Sequence, residues 1–521
     1  MAQNIILRIS PAEAADEKVL KTRIAQAVKT PVSAINAYQI IRSSLDARSR
    51  NIVLQLQINV FIGEEFQDAF AFSPNLQNVA NAKEVYIAGA GPAGLFAALE
   101  LIELGLKPII IERGKDVQSR RRDLAAMNKE GIVNPESNYC YGEGGAGTYS
   151  DGKLYTRSTK RGNIIKSLQW FHYFGASEKI LQEAHPHIGT NKLPAIIANM
   201  RKGIIECGGE VWFDTKLTDI HIENNRIKGL TLNGEITVKT EQLILATGHS
   251  ARDIFRMLEA KKVHIEAKAF ALGVRVEHPQ ALIDRAQYHC GIGESRNPIL
   301  PAASYSLVSQ EAGRGVFSFC MCPGGIIAPA STDEGELVVN GWSPSKRDGL
   351  FANSGMVVTV DEKDFAQYGF TGPLAAMEFQ QLIEKRAWEA GGGLLKAPAQ
   401  RMTDFVRGKV STSLPDCSYL PGISSNLLDQ VLTKEVRIAL QEGFVTFGNK
   451  MRGYYTEEAV VVATESRTSS PVRIPRDELT LEHVQVKGLF PCAEGAGYAG
   501  GIISAAMDGV KVAQAVHRQL L

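Results

Sequence analysis

The stretch EVYIAGAGPAGLFAALELIELGLKPIIIERG, residues 84–114, leaves the chain little freedom in how it folds. A short apolar run, Val85 to Ala88, predicts a strand. Gly89, Gly91 and Gly94 follow in G-x-G-x-x-G spacing, then a helix from Pro92 to Leu104 that stops at Gly105. A second apolar strand, Pro108 to Ile111, ends at Glu112. Each residue has a physical role. Gly89 permits the tight turn, Gly91 lets backbone approach a pyrophosphate, and Gly94 lets helix and strand pack closely. The helix start, Pro92 and Ala93, offers free N–H groups and partial positive charge to phosphate. Glu112, at the end of the second strand, is placed to accept ribose hydroxyls. The spacing alone is weak; with strand, helix and acid in order it predicts a dinucleotide site.

Two other segments indicate which dinucleotide. VKGLFPCAEGAGYAGGIISAAMDGVKVAQAVHRQL reads as a strand into Cys492, the acid Glu494, glycines, and a helix to the end. Such a segment suits FAD: Glu494 and Gly495 for the ribityl chain, and Gly500, Gly501 and Ile502 at a helix N-terminus facing the flavin pyrimidine edge. LPAIIANMRKGIIECGGEVWFDTKLTDIHIENNRIKGLTLNGEITVKTEQLILATGHS alternates helix and hairpin strands and ends on Ala246, Thr247 and Gly248. The turns ENNR and LNGE mark a meander. A meander ending this way resembles the middle of a glutathione-reductase-like FAD domain, which implies backbone near Leu217 toward the adenine. The fold class expected is α/β: a Rossmann-like FAD domain, an inserted mixed α+β domain and a small N-terminal α+β unit.

The chain resembles a bacterial FAD-dependent family, the NAD(FAD)-utilizing dehydrogenases. The matching stretches include RSSLDARSRN, ERGKDVQSRRRD, GEGGAGTYSDGKL, HIGTNKLP, GVRVEHPQALID, SFCMCPGG, VVNGWSPSKRDGLFANSGMVV and ESRTSSPVRIPRD. The resemblance implies FAD and a redox fold without supplying a reaction, and it places Arg120 near the FAD phosphates. Its name claims NAD(P)H as a transient reductant; no second G-x-G-x-x-G follows a strand in this sequence.

Residues 1–80 read as strand, amphipathic helix and alternating strand, a ferredoxin-like cap. The FAD domain is expected at 81–262 and 466–521, and 263–465 as the inserted substrate domain. Net charge of +1 argues against nucleic acid as partner and for a small-molecule substrate. No apolar run is long enough to span a membrane. Seven cysteines without C-x-x-C and a start without a signal pattern fit a cytoplasmic protein with reduced thiols and no metal site. No histidine lies between Gly114 and Trp170, so noncovalent FAD is expected. HPHIGTNK has the wrong spacing for a metal pair.

GEGGAGTYSDGKL nearly matches a phosphate loop, but Leu154 stands where Ser or Thr must hold Mg²⁺. The run Gly145-Ala146-Gly147 instead suits backbone passing close to a flat ring, with Ser150, Asp151 and Lys153 facing the reacting centre. Arg113 and Arg120 follow Glu112 and suit the cofactor phosphates. Cys320 and Cys322 read either as a redox pair or as a wall of the substrate pocket with Cys322 near the flavin. His249 is either a proton carrier or a structural hydrogen-bonder. Arg467 and Arg473 either contact FAD or an anionic substrate, or form internal ion pairs. The reading is a FAD-dependent oxidoreductase passing hydride between flavin and an organic substrate. An FAD-dependent RNA-modifying protein and a noncatalytic FAD redox sensor stand as alternatives.

Overall fold

A computed structural model describes residues 2–156, 162–291 and 293–521. At its centre is a five-stranded parallel sheet in the order Leu489–Pro491, Leu243–Leu245, Glu84–Ala88, Lys107–Ile111, Glu210–Trp212. The middle strand is buried at every position after Glu84, as a parallel sheet covered on both faces requires. The last strand in sequence pairs with Leu243–Leu245, so the C-terminal segment completes the sheet begun at residue 84. The expected meander forms from Leu217–Glu223, Arg226–Leu232 and Ile236–Lys239, all antiparallel.

The helix Pro92–Glu103 is buried from Ala93 to Ile102. It can be, because the C-terminal helix Ile502–Leu520 lies directly against it. At their contact a Cβ on Gly509 would fall 2.1 Å from the Ala93 carbonyl oxygen. Glu100, within that buried face, is matched by Lys166 at 2.8 Å and by the Gln514 amide at 2.7 Å.

Between the two parts of the central sheet, the chain builds a second, mixed sheet. Its long strands are Phe270–Pro279, Arg314–Pro329 and Phe351–Val360, with Val460–Glu465 beside the first. Helices Ala375–Gly391 and Lys434–Lys450 cover one face, where Leu272, Val274 and Val276 meet Phe379, Phe444 and Phe447. The alternate residues Arg275 and Glu277 point to the opposite face. That face is buried as well, so a polar row lies inside the molecule.

The N-terminal unit is α+β: three antiparallel strands with Val53–Ile62 in the middle, and the helix Glu17–Val28 laying Leu20, Ile24 and Val28 on Ile58 and Val60. A ferredoxin-like unit has a fourth strand, which is absent among the described residues of this one; its two helices are the short Pro11–Ala15 and Glu17–Val28, consecutive in the chain. The Ala184 amide donates to the Ser43 carbonyl at 2.9 Å, which ties the unit to the rest. No helix among the described residues is long and apolar enough to cross a membrane.

Two outcomes follow from this packing. Gly509→Val is expected to force the two helices apart and cost about 2 kcal/mol or more, read from the denaturant midpoint. Burial pushes the Glu277 carboxyl up to about 7 from its ordinary 4.5, against bonds from the Ser418 hydroxyl and its amide at 2.7 Å. Between those values the unfolded chain has released a proton that the folded chain still holds, so stability falls as pH rises from 4.5 to 7. Glu277→Gln is expected to flatten the Tm–pH curve there, by about 3 kcal/mol.

Candidate functional site

The turn after Glu84–Ala88 is held in place by its glycines. Gly89 has φ +108°, and a Cβ on Gly94 would lie 1.9 Å from the Gly89 oxygen. Gly91 is the N-cap of the helix and makes no side-chain cap bond. A Cβ on Gly91 would meet nothing within 4 Å. The turn therefore presents bare backbone to open space at a helix N-terminus, which is the geometry a pyrophosphate needs.

Glu112 lies beside this turn. Its Oε2 accepts the Ala90 amide at 2.8 Å, and its Oε1 accepts those of Gly114 at 2.9 Å and Gly142 at 3.0 Å. Of the roughly four acceptor positions of a carboxylate, about one remains for a ligand hydroxyl. The Thr215 amide donates to the Glu112 carbonyl at 2.9 Å, bringing the start of the meander, and buried Leu217, to the same place.

The glycine-rich loop folds over the turn. The Gly144 amide donates to the Ala90 carbonyl at 2.8 Å. A Cβ on Gly145 would lie 3.2 Å from Gly91 Cα, and one on Gly147 3.2 Å from Ile502 Cγ1. Ala146 sits between them in a single 3₁₀ turn, Gly145–Gly147. Lys153 pairs in an isolated bridge with His187, no helix begins at the described residues 154–156, and Leu154 is buried, so this lacks the form of a phosphate loop. The segment Ala246-Thr247-Gly248 joins from the next strand: Ala246 donates to the Ala88 carbonyl at 2.8 Å, and a Cβ on Gly495 would lie 2.7 Å from Gly248 O. Glu494 Oε1 accepts the Ser470 amide at 3.0 Å, and the C-terminal helix begins at Gly501, again without a side-chain cap. Thus Gly91, the Gly145–Gly147 turn and Ile502 converge from three distant stretches of sequence.

Two arginines expected at the phosphates are engaged elsewhere. Arg120 is fully buried and donates to four carbonyls: Asn138 at 2.7 Å, Tyr139 and Glu143 at 2.9 Å, and Gly145 at 3.0 Å. It shapes the glycine loop rather than reaching a ligand. Arg113 pairs with Asp253 at 2.7 Å and lies over the Tyr141 ring. Adjacency to Glu112 in sequence was misleading, because both side chains turn toward loops that return from later in the chain.

The remaining candidates divide into two groups. Ser150 closes a local turn, donating to the Gly147 carbonyl at 2.7 Å and accepting from Gly152. Asp151 pairs with Arg347 at 2.5 Å and Lys153 at 3.7 Å; these cations hold its carboxyl below the usual range despite burial. Lys153 donates to the Met321 carbonyl and lies 3.8 Å from Cys320 Sγ and 3.9 Å from Cys322 Sγ. Behind them Arg275 pairs with Glu465 at 2.8 Å and donates to the Cys320 carbonyl at 2.8 Å. Burial pushes Glu465 up to about 7 against the pull of that arginine.

Arg467 belongs to a separate buried network. It pairs with Glu384 at 3.0 Å and donates to Thr332 at 2.8 Å, while Arg252 holds Glu384 and Glu336, each at 2.7 Å. Two arginines and two carboxylates balance one another inside the protein, so Arg467 is a cross-tie and not a substrate contact. Arg473 lies over the Tyr498 ring. His249 is pulled down to about 4 by burial and by Arg467, so its ring is neutral near pH 7. Its Nδ1 lies 3.1 Å from Ser250 Oγ.

A cleft of about 1490 Å³ opens from the Lys153 group. Arg48, Lys153, Arg285, Arg347, Lys450 and Arg452 line it, and Glu458 is the one carboxylate among the described lining residues. Cys320 lines the cleft, whereas Cys322, the sulfur expected there, is buried behind it. Arg275, Arg347 and Glu465 escaped the sequence reading. The one available signal was charge at alternate positions, Arg275 and Glu277, in an otherwise apolar strand.

The open space above Gly91 yields a discriminating outcome. Gly91→Val has room and an ordinary φ of −73°, so it is expected to keep its Tm within about 2 °C of the parent while losing copurifying nucleotide cofactor by at least about tenfold. Gly94→Val is expected to unfold the turn itself.

A family model described as FAD-dependent protein, C-terminal domain-like, matches residues 269–468. A second, for a domain of unknown function, matches residues 1–61. A thiamine thiazole synthase of Aeropyrum pernix is 25% identical over 182 residues, 32% of this chain and 55% of that protein. Among solved structures, a glycine oxidase from Bacillus cereus is 13% identical with a TM-score of 0.30, covering 85% of this chain and 96% of that one. A protein of Clostridium beijerinckii, described as uncharacterized, is 42% identical over 525 residues, 96% of either chain. The chain belongs to one family with this clostridial protein.

Proposed function

We propose that the protein is an FAD-dependent oxidoreductase that passes a hydride between its cofactor and an anionic organic substrate held in the basic cleft. The observation that carries this reading is the meeting of two glycine-capped helix N-termini, at Gly91 and Gly501, across the Gly145–Gly147 loop. Neither helix start has a side-chain cap, so both keep N–H groups for a ligand. FAD, when bound, supplies a two-electron hydride acceptor and donor.

In this reading the protein does the positioning. Gly91, Pro92 and Ala93 take the pyrophosphate at their helix start, and Glu112 takes a ribose hydroxyl. Gly145, Ala146 and Gly147 lie along the ring system without side chains in the way. Glu494 and Gly495 hold the ribityl side, and the backbone N–H groups of Ile502 and Ile503 face the edge where negative charge develops on reduction. Lys153, which follows the Gly145–Gly147 turn in sequence, lines the cleft, and Cys320, Cys322 and Asp151 keep its charge against burial. The cleft's cations attract a substrate bearing carboxylate or phosphate and exclude cationic competitors. NAD(P)H as the electron donor is a further part of the proposal, which rests on the family resemblance alone.

The test is the visible spectrum of the purified protein, followed by anaerobic mixing with NADH and then NADPH. A yellow protein that releases FAD on denaturation, and is bleached by one of the two, is the expected result. A protein free of FAD overturns the proposal. FAD that neither nucleotide reduces, but dithionite does, removes the nicotinamide part alone. Stoichiometric, salt-sensitive tRNA binding in the cleft would favour an RNA substrate over a small one.

A further inference from the structure

Cys320 sits where the strand Arg314–Pro329 breaks its pairing with Phe351–Val360. The register slips between Phe319 and Cys322, and again between Cys322 and Gly325. Cys320 itself takes φ +48°, a left-handed conformation uncommon for a residue with a side chain. Strain of this kind persists only where the surroundings enforce it. Here the slip separates two cysteines that a regular strand would put on one face: Cys320 reaches the cleft and Cys322 is enclosed.

The groups around Cys320 come from four elements. Lys153, on the glycine-loop segment, lies 3.8 Å from its sulfur, with Asp151 3.7 Å from that ammonium. Arg275, on Phe270–Pro279, binds the Cys320 carbonyl, and Glu465, on Val460–Glu465, binds Arg275. On its own strand, Cys322 donates its S–H to the Cys320 carbonyl at 3.2 Å, which keeps Cys322 a thiol. Cys322, Lys153 and Arg275 together hold the Cys320 thiol well below its ordinary range, against burial and Asp151, while Cys322 is held well above. Burial pushes Cys207, Cys417 and Cys492 up as well.

We propose that Cys320 is a nucleophile at the cleft floor that adds to an anionic substrate bearing an electrophilic carbon, such as a conjugated unsaturated carboxylate. The Sγ electron pair forms an S–C bond at the β-carbon. The C=C π pair moves to the α-carbon as an enolate, which takes a proton from the Lys153 ammonium. Lys153 recovers its proton from water. No electrons leave the pair, and the reverse sequence releases the substrate. The proposal deepens the substrate side of the function above by using the same cleft, but no step passes through FAD, so either can fail alone.

The test uses the full, cofactor-loaded chain, limiting iodoacetamide or iodoacetate, and mass mapping of all seven cysteines. Cys320 is expected to label first. Its preference for the anionic reagent should exceed that of free cysteine by about tenfold at low salt and shrink near about 0.5 M salt, where screening acts within a few ångströms. Lys153→Gln should slow labelling at neutral pH by about tenfold and move its pH midpoint up toward an ordinary thiol near about 8.5. Cys322→Ser should leave Cys320 labelled. Maleate should add once, at Cys320. The proposal is overturned if Cys320 labels no faster than Cys290, the other cleft thiol, or if maleate adds nowhere. Should Lys153→Gln fail to fold by circular dichroism, Arg285→Gln with Arg452→Gln decides: loss of the iodoacetate preference supports the proposal, and its persistence overturns it.

Discussion

One carboxylate holds the nucleotide end of this protein together. Glu112 gathers the amides of Ala90, Gly114 and Gly142, three points on separate loops, onto two oxygens. Each backbone amide would otherwise be buried without a partner, at a cost of about 1–3 kcal/mol. Arg120 completes the arrangement from the other side by donating to four carbonyls of the same returning loop. An acid for the amides and a base for the carbonyls let a nearly bare glycine segment hold one shape. The cofactor cradle needs that shape, since glycine alone would leave the loop free to sample many others.

The second sheet solves a different problem. One face is apolar and packs on helices, but the other, around Arg275 and Glu277, is buried too, with Arg275 held by Asn340, Asn353 and Glu465 and Glu277 by Ser418. Charge there is tolerated only in balanced sets. Arg275 with Glu465 is one, and Arg252 and Arg467 with Glu336 and Glu384 are the other. Such sets contribute little net stability, since desolvation offsets most of the attraction. The first ties neighbouring strands of the one sheet, and the second links the helix that starts at Arg252 to the helix Ala375–Gly391. The Lys153 and Cys320 cluster lies where this balance is unequal, with Lys153, Arg275 and Arg347 around Asp151 and Glu465. Lys153 and Arg347 line the cleft, and the hydrogen bond with Cys322, together with Lys153 and Arg275, distinguishes Cys320 from the thiols that burial pushes up.

Reading the sequence was most successful where the physics is local. The strand, glycine turn, helix and acid between residues 84 and 114 fall within one supersecondary unit whose periodicity and turn chemistry are set by near neighbours. The same holds for the meander from Leu217 and for the helix after Gly501. Arg113 and Arg120, expected at the cofactor phosphates, are held by other partners, and of the two readings open for Arg467 the internal ion pair is the one that forms. A guanidinium on a long stem takes whichever acceptor is nearest in space, and those acceptors come from residues 18 to 140 positions away. A regular strand would put Cys320 and Cys322 on one face as a common pocket wall, and the register slip that separates them depends on the neighbouring strand.

The sequence by itself determined that a dinucleotide fold is present, that its glycines expose backbone at Gly91, and that its C-terminal segment returns to the same sheet. These follow from turn sterics and from hydrophobic period, which act over a few residues. Tertiary structure alone decided that Gly91, Gly147 and Ile502 meet, that Arg120 shapes a loop, and that a near-neutral chain gathers six cations in one cleft. Net charge is a sum over residues, whereas a field is a sum over positions, and only the folded chain has positions.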